Sequence, residues 1–228
     1  LYNRDWPKAE EYATRIIEDN ANYKLVAPYS AFFADNVRGT EESVFEIFYN
    51  GTTEINNHRN QWQPQINGGT RQWAPSNAFV ELVNDPQIGG NRNVLVAKDN
   101  QNRWYGNLYY RSPGSDPSYV IRVAELYLIR AEARAQNNDL SGALADLDAV
   151  RARAGLSAST AVTKEEILLA IENERRLEFA FEPHRWFDLV RTGRATTVLN
   201  FTDERKYLMP LPAQQLLIDP ALTQNEGY

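Results

Sequence analysis

The sequence predicts a mainly α fold in which tetratricopeptide-like helical hairpins carry an irregular, loop-rich insertion with short β-strands. Three observations lead there. From Ser118 onward, apolar residues recur at helical spacing with few breaks. Two of these helical runs are joined by only four residues, NNDL, as in an αα-hairpin. Residues 50–116 have another texture: seven of the twelve Gly, three of the five Trp and twelve Asn fall in this stretch, and charge is sparse. The expected organisation is one domain over 1–228, with a helix-turn-strand segment at 1–49, a loop-rich ligand-face segment at 50–116, and a helical scaffold and tail at 117–228.

In chain order, DWPKAEEYATRIIEDN opens a helix, because Asp5 can cap it, Pro7 suits its first turn, and Ala9, Ala13, Ile16 and Ile17 form a stripe. YSAFFAD follows as a short helix or turn, and the aromatic, β-branched SVFEIFY reads as a strand. NVLVAKDNQNRWYGNLYY reads as a hairpin with KDNQN as its turn. In residues 119–136, Ile121, Ala124, Leu128, Ala131 and Ala135 fall within an arc of about 80° at roughly 100° per residue, which predicts a helix with one apolar stripe. SGALADLDAVRARAG supplies its partner, with Arg151 and Arg153 in the last turn and Gly155 as the C-terminal cap. One such hairpin buries its faces only by stacking on neighbours, and the N-terminal helix is the available one. TKEEILLAIENERRLEFAFE opens on a capping box, Thr163 and Glu166, and is expected to run to Glu182. EPHRWFDLVRTG is a shorter helix with Pro183 at its start and Gly193 at its end, and Trp186, Leu189 and Val190 read as its core face. The tail, punctuated by Pro210, Pro212 and Pro220, is expected to run over the surface or in a groove.

Composition closes off several functions. The charge of −6 gives no general attraction to nucleic acid or anionic lipid. Without Cys there is no disulfide framework, thiolate nucleophile or Cys-held metal. The two His residues, His58 and His184, lack zinc-motif spacing, and the Asn- and Asp-rich DNQN stretch lacks the calcium-loop pattern, so no metal or cofactor is expected. No apolar run reaches the roughly 18–20 residues of a membrane span, and no signal segment precedes the first helix. A chain that opens at Leu1 directly on a helix is expected to be a mature form or a fragment.

ENERRLEFAFEPHRWFDLVRTG poses the sharpest question, since Glu174, Arg175, Glu178, Arg185 and Asp188 sit in a stretch otherwise built for a core. On a helical wheel Glu174 and Glu178 fall mid-way across the face that carries Ile167, Ala170, Ile171 and Leu177. A hydrolase would need two carboxyls roughly 5–10 Å apart across an open cleft, and two residues one turn apart on one helix point the same way. Clamping by Arg175, Arg185, Arg191 or the pair Arg151 and Arg153 is the structural reading, and it is the one the spacing favours.

YVIRVAELYLIRAEARAQNNDLSGALADLDAVRARAGL, ERRLEFAFEPHRWFDLVRTG and YLMPLPAQQLLIDPALTQNEGY resemble, in order, the C-terminal motifs of the SusD/RagB family. DWPKAEEYATRIIEDNANYKL and EESVFEIFYNGT resemble its middle region, so the likeness spans the chain and covers about the C-terminal half of a family member. The resemblance implies a SusD-like α-α superhelix and a non-enzymatic, surface-exposed outer-membrane lipoprotein of Bacteroidetes. Such a protein binds an oligosaccharide or other oligomeric nutrient and passes it to a SusC-like TonB-dependent transporter. The family's lipid-anchoring Cys and further tetratricopeptide-like helices have no counterpart here, so membrane contact through an anchor is not expected of this stretch. The resemblance also assigns ENERRLEFAFEPHRWFDLVRTG to the scaffold, in agreement with its geometry.

Sugars are held by flat aromatic faces and by planar amides or Arg in a preformed concave site. Residues 50–116 carry that chemistry, and in proteins of this kind the variable middle segment forms part of the ligand face. The candidate ligand contacts are Trp62, Trp73, Trp104, Tyr105 and Tyr109, with Asn67, Arg71 and Arg103 as polar partners. Tyr110 and Asn102 are weaker candidates, Trp104 and Tyr110 could instead pack inward, and His58 reads as a surface residue. A peptide-binding member of the same family and a helical-repeat adaptor for proteins are the alternatives.

Overall fold

The computed structural model describes residues 1–19, 22–34 and 38–228. Asn20 and Ala21, which end the first predicted helix and begin the stretch after it, and Asp35, the last residue of YSAFFAD, lie outside the described residues. The chain forms two compact units, Leu1–Glu182 and Pro183–Tyr228.

Among the described residues, four helices form the base of the larger unit. Helix α1 spans Trp6–Asp19, and Asp5 caps it by accepting from the Lys8 amide at 3.3 Å. Tyr29–Phe32 makes a 3-10 turn, and β1, Ser43–Ile47, lies where SVFEIFY predicted a strand. Helix α2 is Asn57–Trp62 and α3 is Asn77–Asn84. Strands β2, Val96–Lys98, and β3, Trp104–Gly106, form the expected hairpin in the register Val96↔Gly106, Ala97↔Tyr105, Lys98↔Trp104. Each strand is only three residues long, because Gly90–Leu95 coils into a 3-10 turn that carries Arg92 into the interior. Asp99 closes the turn, accepting from the amides of Gln101 and Arg103 at 2.9 Å each.

The helix expected over 119–136 begins later. Ser118–Arg122 is strand β4, antiparallel to β1, and α4 runs Val123–Gln136. The run SYVIR is β-branched and aromatic, and pairing with β1 outweighs the helical spacing that Ile121 suggested. Helix α5, Leu140–Arg153, follows a short link; Asp139 accepts from the Gly142 amide at 3.0 Å, and Gly155 ends the turn at φ +76. Ala124, Leu128, Ala131 and Ala135 of α4 meet Ala143, Leu147 and Val150 of α5 in one buried cluster. Methyl-sized side chains let the two backbones approach closely. Helix α1 is pinned to this pair by charge: Arg130 donates to Glu18 at 2.7 Å and to Asp146 at 2.7 and 2.8 Å, and Arg134 donates to Glu10 at 3.1 Å and to Asp146 at 2.9 Å.

Helix α6 starts on the expected Thr163–Glu166 capping box, and it adds Ile167 and Ile171 to the same core. It stops at Glu178 rather than Glu182. Phe179 leaves helical geometry and Phe181 takes φ +70, because the chain must turn to send Phe181 onto Trp62 and Glu182 onto Arg122.

In the smaller unit α7 is Arg185–Arg191, α8 is Ala195–Leu199 and α9 is Ala213–Ile218. Trp186 stands edge-on to Phe201 at 5.3 Å and to Tyr207 at 6.1 Å. The tail folds back on itself: the Gln224 amide group brackets Leu211, accepting from its N–H at 2.8 Å and donating to its carbonyl at 3.0 Å. No helix among the described residues is long and apolar enough to cross a membrane.

Candidate glycan-binding surface

Glu174 and Glu178 lie on the inward face of α6, 2% and 0% exposed, with no open cleft before them. Glu178 Oε2 accepts from Arg92 Nε at 3.0 Å and Nη2 at 2.8 Å; its Oε1 accepts from Arg122 Nη1 at 2.9 Å and from Arg153 Nη2. Glu174 accepts from Arg92 and, at 3.1 Å, from Arg151. Glu42 bridges Arg122 at 2.6 Å and Arg153 at 2.8 Å, and Glu182 receives the bidentate fork of Arg122 at 3.1 and 2.7 Å. Four arginines thus face four glutamates, and aromatic rings take the guanidinium faces: Arg122 lies 4.1 Å from the Phe32 centroid and 5.1 Å from that of Phe179.

Burial alone would raise the pKa of Glu178, but Arg153, Arg92 and Arg122 together outweigh it and hold the group down to about 2. Burial dominates at Glu182, where Arg122 is shared with other carboxylates and the charge of Glu178 is close; its pKa is pushed up to about 7. These carboxylates are scaffold. Of the clamps expected from sequence, Arg151 and Arg153 are realised. Arg175 instead reaches Glu125 at 3.4 Å, and Arg191 bonds Asp188 within α7 at 2.8 Å. The remaining clamps, Arg92 and Arg122, come from the insertion and from β4. Their one sequence signal was a lone guanidinium inside an apolar or Gly-rich run.

The aromatic surface grows from α2. Asn56 caps the helix through the His58 amide at 3.0 Å and is itself fixed by donating to Asp116 O at 3.0 Å. Gln63, fully buried, donates to the carbonyls of Gly106 at 3.2 Å and Tyr109 at 3.0 Å, and accepts from Asn67 at 2.8 Å. One side chain thereby ties α2 to the hairpin. The next segment folds back along α2, with Thr70 N on Asn60 O at 2.7 Å, Arg71 N on Gln63 O at 3.0 Å and Trp73 N on Gln61 O at 3.1 Å. A Cβ at Gly69 would come within 2.1 Å of Gln63 O, so this return requires glycine.

The result sets Trp62 and Trp73 edge to face at 5.6 Å and 65°. His58, itself exposed, lies 6.1 Å from Trp73 and 5.8 Å from Tyr109, and Phe181 backs Trp62 at 4.7 Å. Trp73 is 42% exposed and forms the outer part of this group. Tyr109 is buried and stacks on Tyr119 at 6.2 Å. Tyr105 is buried with its hydroxyl 3.4 Å from Asn67 Nδ2, and Arg71 donates to Trp104 O at 3.1 Å. Trp62, Trp73, Asn67, Tyr105, Tyr109 and Arg71 are therefore gathered around one short stretch of backbone. Two candidates are placed elsewhere. The Trp104 ring packs with Lys98, whose Nζ is 4.8 Å from its centroid, and against the Val83–Leu177 cluster. Arg103 is tied to Asp99 at the hairpin turn, beside Asn102 at φ +60. Tyr110 lies under Arg111 at 4.7 Å. Sequence reading missed Gln63 and Phe181.

The larger unit is thus a helical scaffold whose buried glutamates are paired with arginines, carrying the Trp62–Trp73 indole pair on an irregular insertion. The chain belongs to the SusD family, whose model matches residues 45–201. SusD-like protein P2 of Formosa agariphila is 26% identical over an alignment that covers 100% of this chain and 57% of the relative. Among solved structures, a SusD superfamily protein from Bacteroides vulgatus superposes with a TM-score of 0.82 at 22% identity, covering 100% of this chain and 60% of that one. A laminarin-binding SusD-like protein gives 0.81 at 25% identity, with 100% and 60% covered. The chain thus spans 57% to 60% of the length of these relatives.

Proposed function

We propose that this chain forms part of a non-enzymatic oligosaccharide-binding protein of the outer-membrane surface, and that the intact protein hands its ligand to a TonB-dependent transporter. The observation that carries the binding is the Trp62–Trp73 pair, an exposed indole edge-on to a second one, on a base locked by Gln63. Indole faces cover the C–H faces of sugar rings, and a preformed platform costs little ordering entropy on binding. The laminarin-binding neighbour supports a saccharide ligand, and the family supports the surface location and the transporter partner.

Calorimetric titration of the 228-residue chain with a panel of oligosaccharides tests this. The expected result is saturable binding without product formation, weakened about tenfold or more by Trp73→Ala, in the range of an aromatic stacking contact. Unchanged affinity in both Trp62→Ala and Trp73→Ala would reject the surface.

A further inference from the structure

Resting on the saccharide-capture reading above, we propose that this surface takes an acidic saccharide, one bearing carboxylate or sulfate groups, and that Arg71 supplies the charge it meets. Arg59 precedes the Trp62–Trp73 stretch and Arg71 lies within it, and neither forms an ion pair with a carboxylate of the described residues. Arg59 donates to the carbonyls of Asn67 and Gly68 and to Asn60 Oδ1. Arg71 gives Nη2 to the Trp104 carbonyl at 3.1 Å, and its Nε is enclosed without a partner.

This contrasts with the treatment of the scaffold's buried guanidinium groups. Arg92, Arg122, Arg130 and Arg153 each meet carboxylates in the interior. Nearby, Asp99 and Asp116 are taken up by Arg103 and Arg111. Carbonyl oxygens orient a guanidinium but do not cancel its charge. Arg59 is 3% exposed and lies in the field of Asp116, whereas Arg71, in a chain of net charge −6, has no carboxylate partner among the described residues and stands two positions from a 42%-exposed indole. Arg71 is also held at φ +45, a left-handed backbone that a non-glycine residue adopts at some cost and that fixes where its side chain leaves the chain. A neutral glucan would use the indoles but not the charge. The planar fork of an arginine matches a carboxylate or a sulfate ester in two parallel bonds.

The test titrates the 228-residue chain with oligogalacturonate, with a sulfated carrageenan oligosaccharide and with neutral laminarihexaose. Each titration is run at about 0.05 M and 0.5 M salt, a range over which the screening length falls roughly threefold. The expected result is that at least one acidic oligosaccharide binds more tightly than the neutral one and loses about tenfold in affinity at high salt. Arg71→Gln then removes the acid preference, and Arg71→Lys keeps part of it by retaining the charge; circular dichroism identifies any variant that fails to fold. The uronate and sulfate arms tell which acid group is read. Tight, salt-independent binding of laminarihexaose that Arg71→Gln leaves unchanged and Trp73→Ala abolishes would overturn the acidic class while leaving the surface standing. Binding of no saccharide would overturn both.

Discussion

The ring of Phe181 meets the ring of Trp62 edge-on at 4.7 Å and 76°, from a backbone position at φ +70. Aromatic residues rarely take this left-handed geometry, and here it is imposed from both sides. Before it, α6 ends on Glu178, locked by Arg92, Arg122 and Arg153; after it, Glu182 is locked by Arg122. The buried charges thus fix the strained turn that props the outer indole pair. Scaffold and site are joined by the short run between those two glutamates.

Replacing Phe181 with Leu should therefore loosen Trp62 more than it harms the core. An edge-to-face pair contributes about 0.5–1.5 kcal/mol beyond its buried area, so a stability loss of about 1–2 kcal/mol is expected by urea unfolding. Indole emission should shift to longer wavelength as Trp62 gains solvent. No emission shift would mean the ring is held by other contacts.

Gly106→Ala attacks the same contact from the hairpin. A Cβ there would lie 2.8 Å from a Phe181 ring carbon and 2.9 Å from a Trp62 ring carbon. Overpacking of this kind costs about 1–3 kcal/mol. The variant should fold, unfold earlier in urea, and bind saccharide more weakly than the parent chain.

Arg122→Met tests the ion lattice. It leaves Glu182 without its bidentate partner and Glu42 and Glu178 each short of one donor. Breaking a buried pair from one side costs about 3–5 kcal/mol, because the carboxylates remain desolvated. Adding Glu182→Gln to Arg122→Met replaces a buried carboxyl that has lost both bonds to Arg122 with a group that needs no cation, and should recover part of that loss. Simple additivity of the two substitutions would argue against direct coupling between these side chains.

Helical spacing and caps made the scaffold legible in the sequence: the Ala stripe of α4, the Thr163–Glu166 capping box and Gly155 all act as their patterns implied. The misreadings at 119–122 and 179–182 share one cause. In both, local periodicity favoured helix, and a long-range partner took the chain elsewhere: β1 for Ile121, and Arg122 with Trp62 for the segment after Glu178. Composition located the aromatic segment, but it could not separate Trp73, which faces solvent, from Trp104, which packs under Lys98. That difference depends on hairpin register and on the buried Gln63, neither of which leaves a periodic trace.

Glu178 and Glu182, perturbed in opposite directions, predict a stability optimum in mild acid. Glu178 has a pKa of about 2 when folded against 4.5 for a free side chain. The unfolded chain therefore binds more protons between those values, so this contribution is complete above pH 4.5 and is lost as pH falls toward 2. Glu182 runs the other way: its folded pKa is about 7, so the native state holds a proton that the unfolded chain releases. Its contribution is complete below about pH 4.5 and is lost as pH rises through 7. A tenfold difference in proton affinity between the folded and unfolded chain is worth about 1.4 kcal/mol, so both slopes are on the order of a few kcal/mol. Urea midpoints should peak near pH 5 and decline toward about pH 3 on one side and about pH 8 on the other. Glu182→Gln should flatten the upper decline and leave the acid one intact. Persistence of the upper decline in that variant would assign it to another group and leave Glu182 ionised in its Arg122 fork.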